Sequence, residues 1–243
     1  SIITNTSFSY NTASGQGARG GAILLEQVGE RHANTTVRIL NVQFDGNSAD
    51  VEGQIGMISE PNPSSSVSSH LFGCGGALTM LSASLQQTAL ELDGVRFDSN
   101  QGIKGGGLCV TGQSVKLSIS AAMFSRNKAR FGGAVFGHQA SEVRVSNSSF
   151  EENGWLPSAV LTLPDSESYT VGGALSLEAA ATTQVAISGV TFKSNHATNH
   201  EAVFIDSMDP HFECDACSMS ILPPRHGEDR CIHHDLPPPL VLR

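Results

Sequence analysis

The stretch LSISAAMFSRNKARFGGAV, residues 117–135, contains two short motifs that recur along the chain. The first is Phe124 followed three residues later by Asn127, and the second is the tetrapeptide Gly-Gly-Ala-Val at residues 132–135. The first motif uses six of the eleven Phe, in the pairs Phe8/Asn11, Phe44/Asn47, Phe97/Asn100, Phe124/Asn127, Phe150/Asn153 and Phe192/Asn195. The second begins at Gly20, Gly75, Gly105, Gly132 and Gly172, with a degenerate copy at residues 200–203. Such recurrence is the signature of a repeat protein.

The residues before each Phe show a regular apolar spacing. In residues 117–135 the apolar positions are Leu117, Ile119, Ala122 and Phe124, and the other copies repeat these steps of two, three and two. A step of two predicts a strand with one buried face, and the step of three predicts a corner between two strands. The corner position holds Asn, Gly or Ala, and Asn and Gly tolerate left-handed backbone. We therefore predict an all-β fold, a right-handed parallel β-helix (solenoid) of about six coils with three short strands each.

Stacked coils place equivalent residues on top of one another at the strand spacing of about 4.8 Å. The six Phe are then predicted to form a ladder in the core, and the six Asn a hydrogen-bonded ladder in the turn. Both ladders are interpreted as structural rather than as ligand sites.

The paired motifs resemble the repeat of the chlamydial polymorphic outer-membrane proteins, over roughly residues 1–206. This resemblance implies a pectin-lyase-like right-handed parallel β-helix on a cell surface, often with an adhesive role. The membrane-inserting barrel of that family has no counterpart in this sequence.

The sequence divides into a β-helix at residues 1–206 and a Pro-, Cys- and His-rich tail or cap at residues 207–243. Insertions at 48–74 and 154–171 leave the same turn, so both are predicted to project from one edge of the helix. The second insertion is more apolar than an exposed loop usually is. Two interpretations remain open: the insertion packs back onto the coils, or it forms a partner-binding patch. The residues of that candidate patch are Trp155, Leu156, Leu161, Leu163 and Tyr169.

Ser1 falls in the middle of a coil, which predicts a fragment, a processed product or one piece of a longer stack.

Composition argues against several functions. The 14 Lys and Arg form no basic run and the net charge is −9, so no nucleic-acid interface is expected. No apolar stretch approaches the roughly 20 residues of a membrane helix, so no membrane insertion is expected. The match of Gly15, Gly17 and Gly20 to a dinucleotide-binding motif needs a following helix, whereas residues 22–25 read as a strand. No cofactor is expected.

Several acidic, Cys and His residues fit either a catalytic or metal-binding role or a structural one. Asp45 and Asp98 hold equivalent outward positions and could stack about 5 Å apart, a spacing compatible with paired-carboxylate chemistry. Their column continues as Ser125, Glu151 and Lys193, which indicates an ordinary solvated face, so we expect no enzyme. A zinc site would use Cys214, Cys217, Cys231 and His233, whereas disulfides are the favoured use of Cys in a secreted protein.

The five Cys are an odd number, so at least one stays outside any intrachain pair. Cys74 lies one residue before its double glycine and Cys109 four residues after the first Gly of its own, so direct stacking is not expected. Two interpretations remain open: a disulfide between Cys74 and Cys109, or two packed thiols.

Asn5, Asn34 and Asn147 begin glycosylation sequons, and Asn5 and Asn147 fall at corners where a glycan would clear the sheets.

These observations favour a non-catalytic extracellular or cell-surface module with a structural or adhesive role. One alternative is a subunit of an extracellular filament or larger assembly, and another is a polysaccharide lyase or hydrolase of pectin-lyase-like fold. The expected partners are another protein or further copies of the chain, bound along the insertion edge or at the open coil ends, with glycans as further candidates.

Overall fold

The computed structural model describes residues 1–14, 18–27, 34–49, 74–83, 87–154, 170–178, 183–197, 203–206, 212–215, 218–220 and 232–234. All regular elements in these ranges are β-strands, and they form three parallel sheets of seven strands each with one additional strand pair. The chain is a parallel β-helix, as the repeat spacing predicts. The described ranges contain no helix with the length and hydropathy that crossing a membrane requires.

Each coil contributes one strand to each sheet. Sheet I consists of β1 (Ile2–Thr4), β5 (Thr35–Leu40), β9 (Thr88–Asp93), β12 (Val115–Ser120), β15 (Glu142–Ser146), β18 (Gln184–Ser188) and β21 (Phe212–Asp215). Sheet II consists of β2 (Ser7–Ser9), β6 (Gln43–Asp45), β10 (Arg96–Asp98), β13 (Met123–Ser125), β16 (Ser149–Glu151), β19 (Thr191–Lys193) and β22 (Ser218–Ser220). Sheet III consists of β4 (Ile23–Gln27), β8 (Leu78–Ser82), β11 (Leu108–Thr111), β14 (Val135–His138), β17 (Leu175–Glu178), β20 (Val203–Asp206) and β23 (Ile232–His234). The short pair is β3 (Thr12–Ala13) with β7 (Ser48–Ala49).

The strands pair in the register that the repeat predicts. Phe97 is aligned with Phe44 on one side and with Phe124 on the other, and Leu117 is aligned with Leu90 and Val143. Because equivalent residues stack, the alternating apolar positions of all three sheets converge on one core. The direction of winding stays a prediction, with right-handed connections between parallel strands the strong general preference.

Three kinds of corner turn the chain between the sheets, and each uses left-handed backbone. Between sheets I and II the corner residues have φ of 46–62°, at Asn5, Asn41, Gly94, Ala121, Asn147 and Gly189. The second residue after the Phe has φ of 52–61°, at Tyr10, Gly46, Ser99, Arg126, Glu152 and Ser194. The first Gly of each double glycine has φ of 57–65°, at Gly20, Gly75, Gly105, Gly132 and Gly172.

The sheets continue past residue 206, where the sequence places the end of the repeat. Strands β21, β22 and β23 pair in parallel with β18, β19 and β20, so segments of the Cys- and His-rich region extend all three sheets. Met219 takes the register position of the Phe column, aligned with Phe192. The missing Phe explains why the repeat signal ends while the strand pairing goes on.

Candidate functional site

The two ladders occupy the interior and the turn edge of the helix. Six Phe rings form a continuous stack from Phe8 to Phe192, with centroid separations of 4.7–5.2 Å and interplanar angles of at most 17°. Phe124 and Phe150 are the most nearly parallel neighbours, at 4.7 Å and 2°. Both are fully buried, so this column stabilises the fold through burial and ring stacking and offers nothing to a ligand.

The Asn ladder uses the hydrogen-bonding capacity of each amide within the turn. The backbone N–H and the Nδ2 of Asn100 both donate to Oδ1 of Asn127, at 3.1 and 2.9 Å. The Nδ2 of Asn100 also donates to the Phe44 carbonyl at 3.1 Å. The same pattern recurs along the other members of the column, Asn11, Asn47, Asn127, Asn153 and Asn195. These side chains therefore hold successive turns together.

The double glycine shapes the entrance to sheet III. Its first Gly supplies the left-handed turn, and its second Gly lies against the backbone of the next coil. A Cβ on Gly106 would lie 2.4 Å from the Gly133 carbonyl oxygen and 2.6 Å from the Lys128 nitrogen. Side chains are therefore excluded at this position for steric reasons, independently of φ.

The tight glycine turn also brings the residue before it against the outer side of sheet III. Residues 74, 104, 131 and 171, each just before a double glycine, bridge one another in a row across successive coils. Cys74, Cys109 and Phe136 are fully buried there and form a second apolar cluster, with Phe131 packed against it. This outer cluster is a feature that the repeat columns of the sequence do not reveal.

Cys74 and Cys109 lie with their sulfur atoms at disulfide distance and their Cα atoms 5.4 Å apart. The sequence spacing argues against direct stacking, yet the pair forms because the glycine turn places the residue before it beside the outer strand position. Residue 74 is aligned with Lys104, which lies five residues before Cys109. The bond therefore joins two consecutive coils of the helix.

A cationic and acidic group borders the outer cluster. The Lys104 ammonium lies 4.9 Å from the centre of the Phe136 ring and 5.6 Å from that of Phe131. Burial lowers the pKa of Lys104, while the charge of Glu178 acts in the opposite direction. His138 Nδ1 lies 2.8 Å from Glu178 Oε2, and these two residues are register partners on β14 and β17. The result is a partly exposed His–carboxylate pair next to a half-buried cation.

Asp98 is the centre of a separate polar network on sheet II. Its carboxylate accepts hydrogen bonds from Arg126, Arg96 and Ser125. Burial raises the pKa of Asp98, but the hydrogen bonds from Arg126 and Ser125 and the charge of Arg126 outweigh it and hold that pKa below the ordinary value. Asp45 is its register partner on the neighbouring strand, so the two residues hold equivalent positions as predicted. Asp98 is held ionised by arginines, which suits a structural role better than proton transfer.

The other predicted sites lie at the surface or outside the described residues. Asn5, Asn34 and Asn147 are exposed, and Asn5 and Asn147 stand at left-handed corners between sheets I and II. The candidate partner-binding residues Trp155, Leu156, Leu161, Leu163 and Tyr169 lie outside the described residues, as do Cys217 and Cys231. Cys214 and His233 lie on β21 and β23, so the predicted zinc site stays a prediction.

No protein-family model, no curated protein and no solved structure matches this chain.

Proposed function

We propose that the chain is a non-catalytic extracellular or cell-surface β-helix module with a structural or adhesive role. The observation that carries the proposal is the buried Cys74–Cys109 pair, which lies at disulfide distance between consecutive coils. Disulfides form and persist in oxidising environments outside the cytosol, so a cross-link built into the repeat favours an extracellular location. The exposed sequon residues Asn5, Asn34 and Asn147 are compatible with the same compartment.

The distribution of polar groups supports a structural rather than a catalytic role. Charged side chains on the outer faces pair with their register partners in the next coil, as in Arg38 with Glu91, Lys116 with Glu142, and Lys193 with Glu151. Cross-strand pairs of this kind favour the correct register of neighbouring coils. These charged side chains contact one another between coils, and such an arrangement is typical of a structural scaffold.

The proposal includes the likeness to the surface repeats of chlamydial polymorphic outer-membrane proteins. Its support is that the residues carrying the likeness have structural roles: Phe in the core ladder, Asn in the turn ladder and the double glycine at the crossing into sheet III. A rigid stack with variable turns is a suitable platform for adhesion, because binding residues are often carried by loops on a rigid scaffold.

Peptide mapping of the protein from its native cells under non-reducing conditions tests the location. We expect the protein in the medium or accessible to protease on intact cells, with the Cys74 and Cys109 peptides linked. Glycan at any of the three sequons would add support. An intracellular protein in which both thiols react freely after denaturation would refute the proposed compartment.

Activity and adhesion assays separate the proposed role from its alternatives. Incubation with acidic polysaccharides should release neither reducing sugar nor unsaturated products, whereas turnover that is lost on Asp98→Asn would establish the enzyme alternative. Surfaces coated with glycans or extracellular-matrix proteins should retain the module, with heat-denatured chain as the control. Light scattering of a concentration series tests the assembly alternative, for which the apparent mass should grow with concentration.

A further inference from the structure

Insertion 48–74 lengthens the connection between the Asn ladder and the double glycine in its coil. The compact coils make this connection with four residues, at 101–104 and 128–131, whereas insertion 48–74 has 27. Because the entropy lost on closing a flexible loop grows with the logarithm of its length, the longer connection holds its two ends together roughly 20-fold less effectively than a four-residue turn. The double glycine that follows therefore needs a further contact to stay in register.

The Cys74–Cys109 pair lies at the end of this connection. Cys74 is the last residue before the double glycine, and its sulfur atom lies at disulfide distance from that of Cys109 on β11 of the next coil. Both side chains are fully buried in the outer cluster. The shorter insertion, 154–171, ends at Val171, whose N–H donates a hydrogen bond to the Arg130 carbonyl of the coil before it at 3.0 Å. The longer insertion thus ends in a covalent link as well as backbone hydrogen bonds, and the shorter one in noncovalent contacts.

The covalent link spans the same junction between coils as a set of backbone hydrogen bonds. The residues that follow Cys74 donate their N–H groups to carbonyls of the residues that precede Cys109. These bonds run from Gly75 to Lys104 at 2.8 Å, from Gly76 to Gly105 at 3.0 Å and from Leu78 to Gly107 at 3.0 Å. We call the three donors the junction amides. They are the first to lose their partners if the end of the insertion separates from the next coil, so they report on what the link holds.

We propose that the Cys74–Cys109 link is a redox-sensitive anchor for the end of insertion 48–74. It fixes the double glycine on the next coil, so that a change in the length or conformation of the insertion is not passed on to the stack. A dithiol releases the anchor by giving two electrons and two protons to the S–S bond, which leaves two Cys thiols and oxidises the dithiol to a disulfide. Because both Cys are buried, the dithiol reaches them only when the junction opens. The inference rests on the proposed extracellular location, where such a link persists.

Hydrogen exchange of the full chain with the link oxidised, followed by mass spectrometry, tests the anchor. Replacing Cys74 and Cys109 with Ala should speed the exchange of the junction amides by roughly 10–20-fold, the factor expected from the length of the connection. The equivalent amides of the following junction, at residues 105, 106 and 108, are the internal control and should change by no more than about twofold. In a chain whose residues 48–73 are replaced by three residues, the same two substitutions should speed exchange by less than about threefold.

A second variant separates the covalent link from packing in the outer cluster. Cys74→Ala combined with Cys109→Val keeps apolar atoms there and should exchange as fast as the double Ala variant. Slow exchange in either variant, equal acceleration at both junctions, or an undiminished effect in the shortened chain would overturn the proposal. If the double Ala variant does not fold, folding of the shortened chain with the same substitutions supports the anchor, and its failure to fold overturns it. Free Cys74 and Cys109 thiols in protein from native cells would instead refute the proposed location and leave the exchange result intact.

Discussion

Each Phe of the ladder is expected to make a large contribution to the free energy of unfolding. Phe124 is fully buried between Phe97 and Phe150, with ring centroids 4.8 and 4.7 Å away. Replacing Phe124 with Ala removes both stacking contacts and leaves a cavity that the stiff parallel strands close poorly. We expect the free energy of unfolding, measured by urea titration, to fall by about 3–5 kcal/mol.

The adjacent residue supplies the control for this substitution. Met123 is 46% exposed on the same strand, so Met123→Ala should change the free energy of unfolding by no more than about 0.5 kcal/mol. Equal effects of the two substitutions would mean that the ladder does not hold the core.

Asp98 links the sheet II network to acid stability. Its pKa is held below its ordinary value of 3.8, so the ionised carboxylate stabilises the folded chain above that pH. This stabilisation is lost as the pH falls through the lower, folded-state pKa. Thermal melting should therefore show a drop in stability below about pH 4 that is smaller in Asp98→Asn than in the parent chain.

The stacked neighbour of Asp98 provides the comparison. Asp45→Asn removes a carboxylate from the same column but leaves the hydrogen bonds of Arg126 to Asp98 in place. Its acid profile should stay close to that of the parent chain. If Asp98→Asn leaves the slope unchanged, the network contributes nothing to acid stability.

Alanine substitutions at Gly106 and Gly107, adjacent residues of one double-glycine turn, are expected to have different effects on stability. Gly106→Ala places a methyl group 2.4 Å from the Gly133 carbonyl oxygen, where only backbone could move aside. Gly107→Ala places its methyl group 3.1 Å from the Ala134 carbonyl oxygen, at a position where the coils at 22, 77, 134 and 174 carry Ala. We expect Gly106→Ala to lower the melting temperature strongly and Gly107→Ala to be tolerated, or to stabilise by up to about 1 kcal/mol.

Comparing the melting temperatures of the two glycine variants tests this expectation. The comparison is matched because both substitutions add one methyl group, at adjacent residues. Similar losses from both would show that the close approach of neighbouring coils at Gly106 does not set the cost of a side chain there.

The stack as a whole confines variation to its turns, because every coil reuses the same core columns. The insertions both leave the segment between the Asn ladder and the double glycine, after Asn47 and after Asn153. These two coils are three apart, or about 15 Å along the axis. Replacing residues 154–171 with a four-residue turn, the length found at 128–131, should leave the melting temperature nearly unchanged while weakening partner binding or assembly.

An equivalent shortening of 48–74 that keeps Cys74 as the last residue before the double glycine is the control for the loss of insertion length at the same edge, because it preserves the Cys74–Cys109 pair. It should not reproduce the binding loss if the apolar residues around Trp155 form the partner-binding patch. Collapse of the fold on shortening 154–171 would favour the packing reading, and full binding by the shortened chain would refute the site.

Local pattern was sufficient to predict the strands, corners and two ladders. Phe124, Asn127 and the Asn or Gly at each corner have roles set by neighbours in the coil and by their equivalents one coil away. A parallel stack turns such short-range spacing directly into three-dimensional contacts. The sequence therefore predicts the core and the register without further information.

Contacts between non-equivalent positions required the folded chain. The Cys74–Cys109 pair depends on how tightly the glycine turn folds the preceding residue onto sheet III, which spacing along the chain does not express. The pairing of β23 with β20 likewise follows from packing after the Phe signal has ended, and it alone aligns His234 with Asp206. A repeat dictates what stacks on its own copies, whereas contacts across columns depend on turn geometry and on the path of the chain between coils.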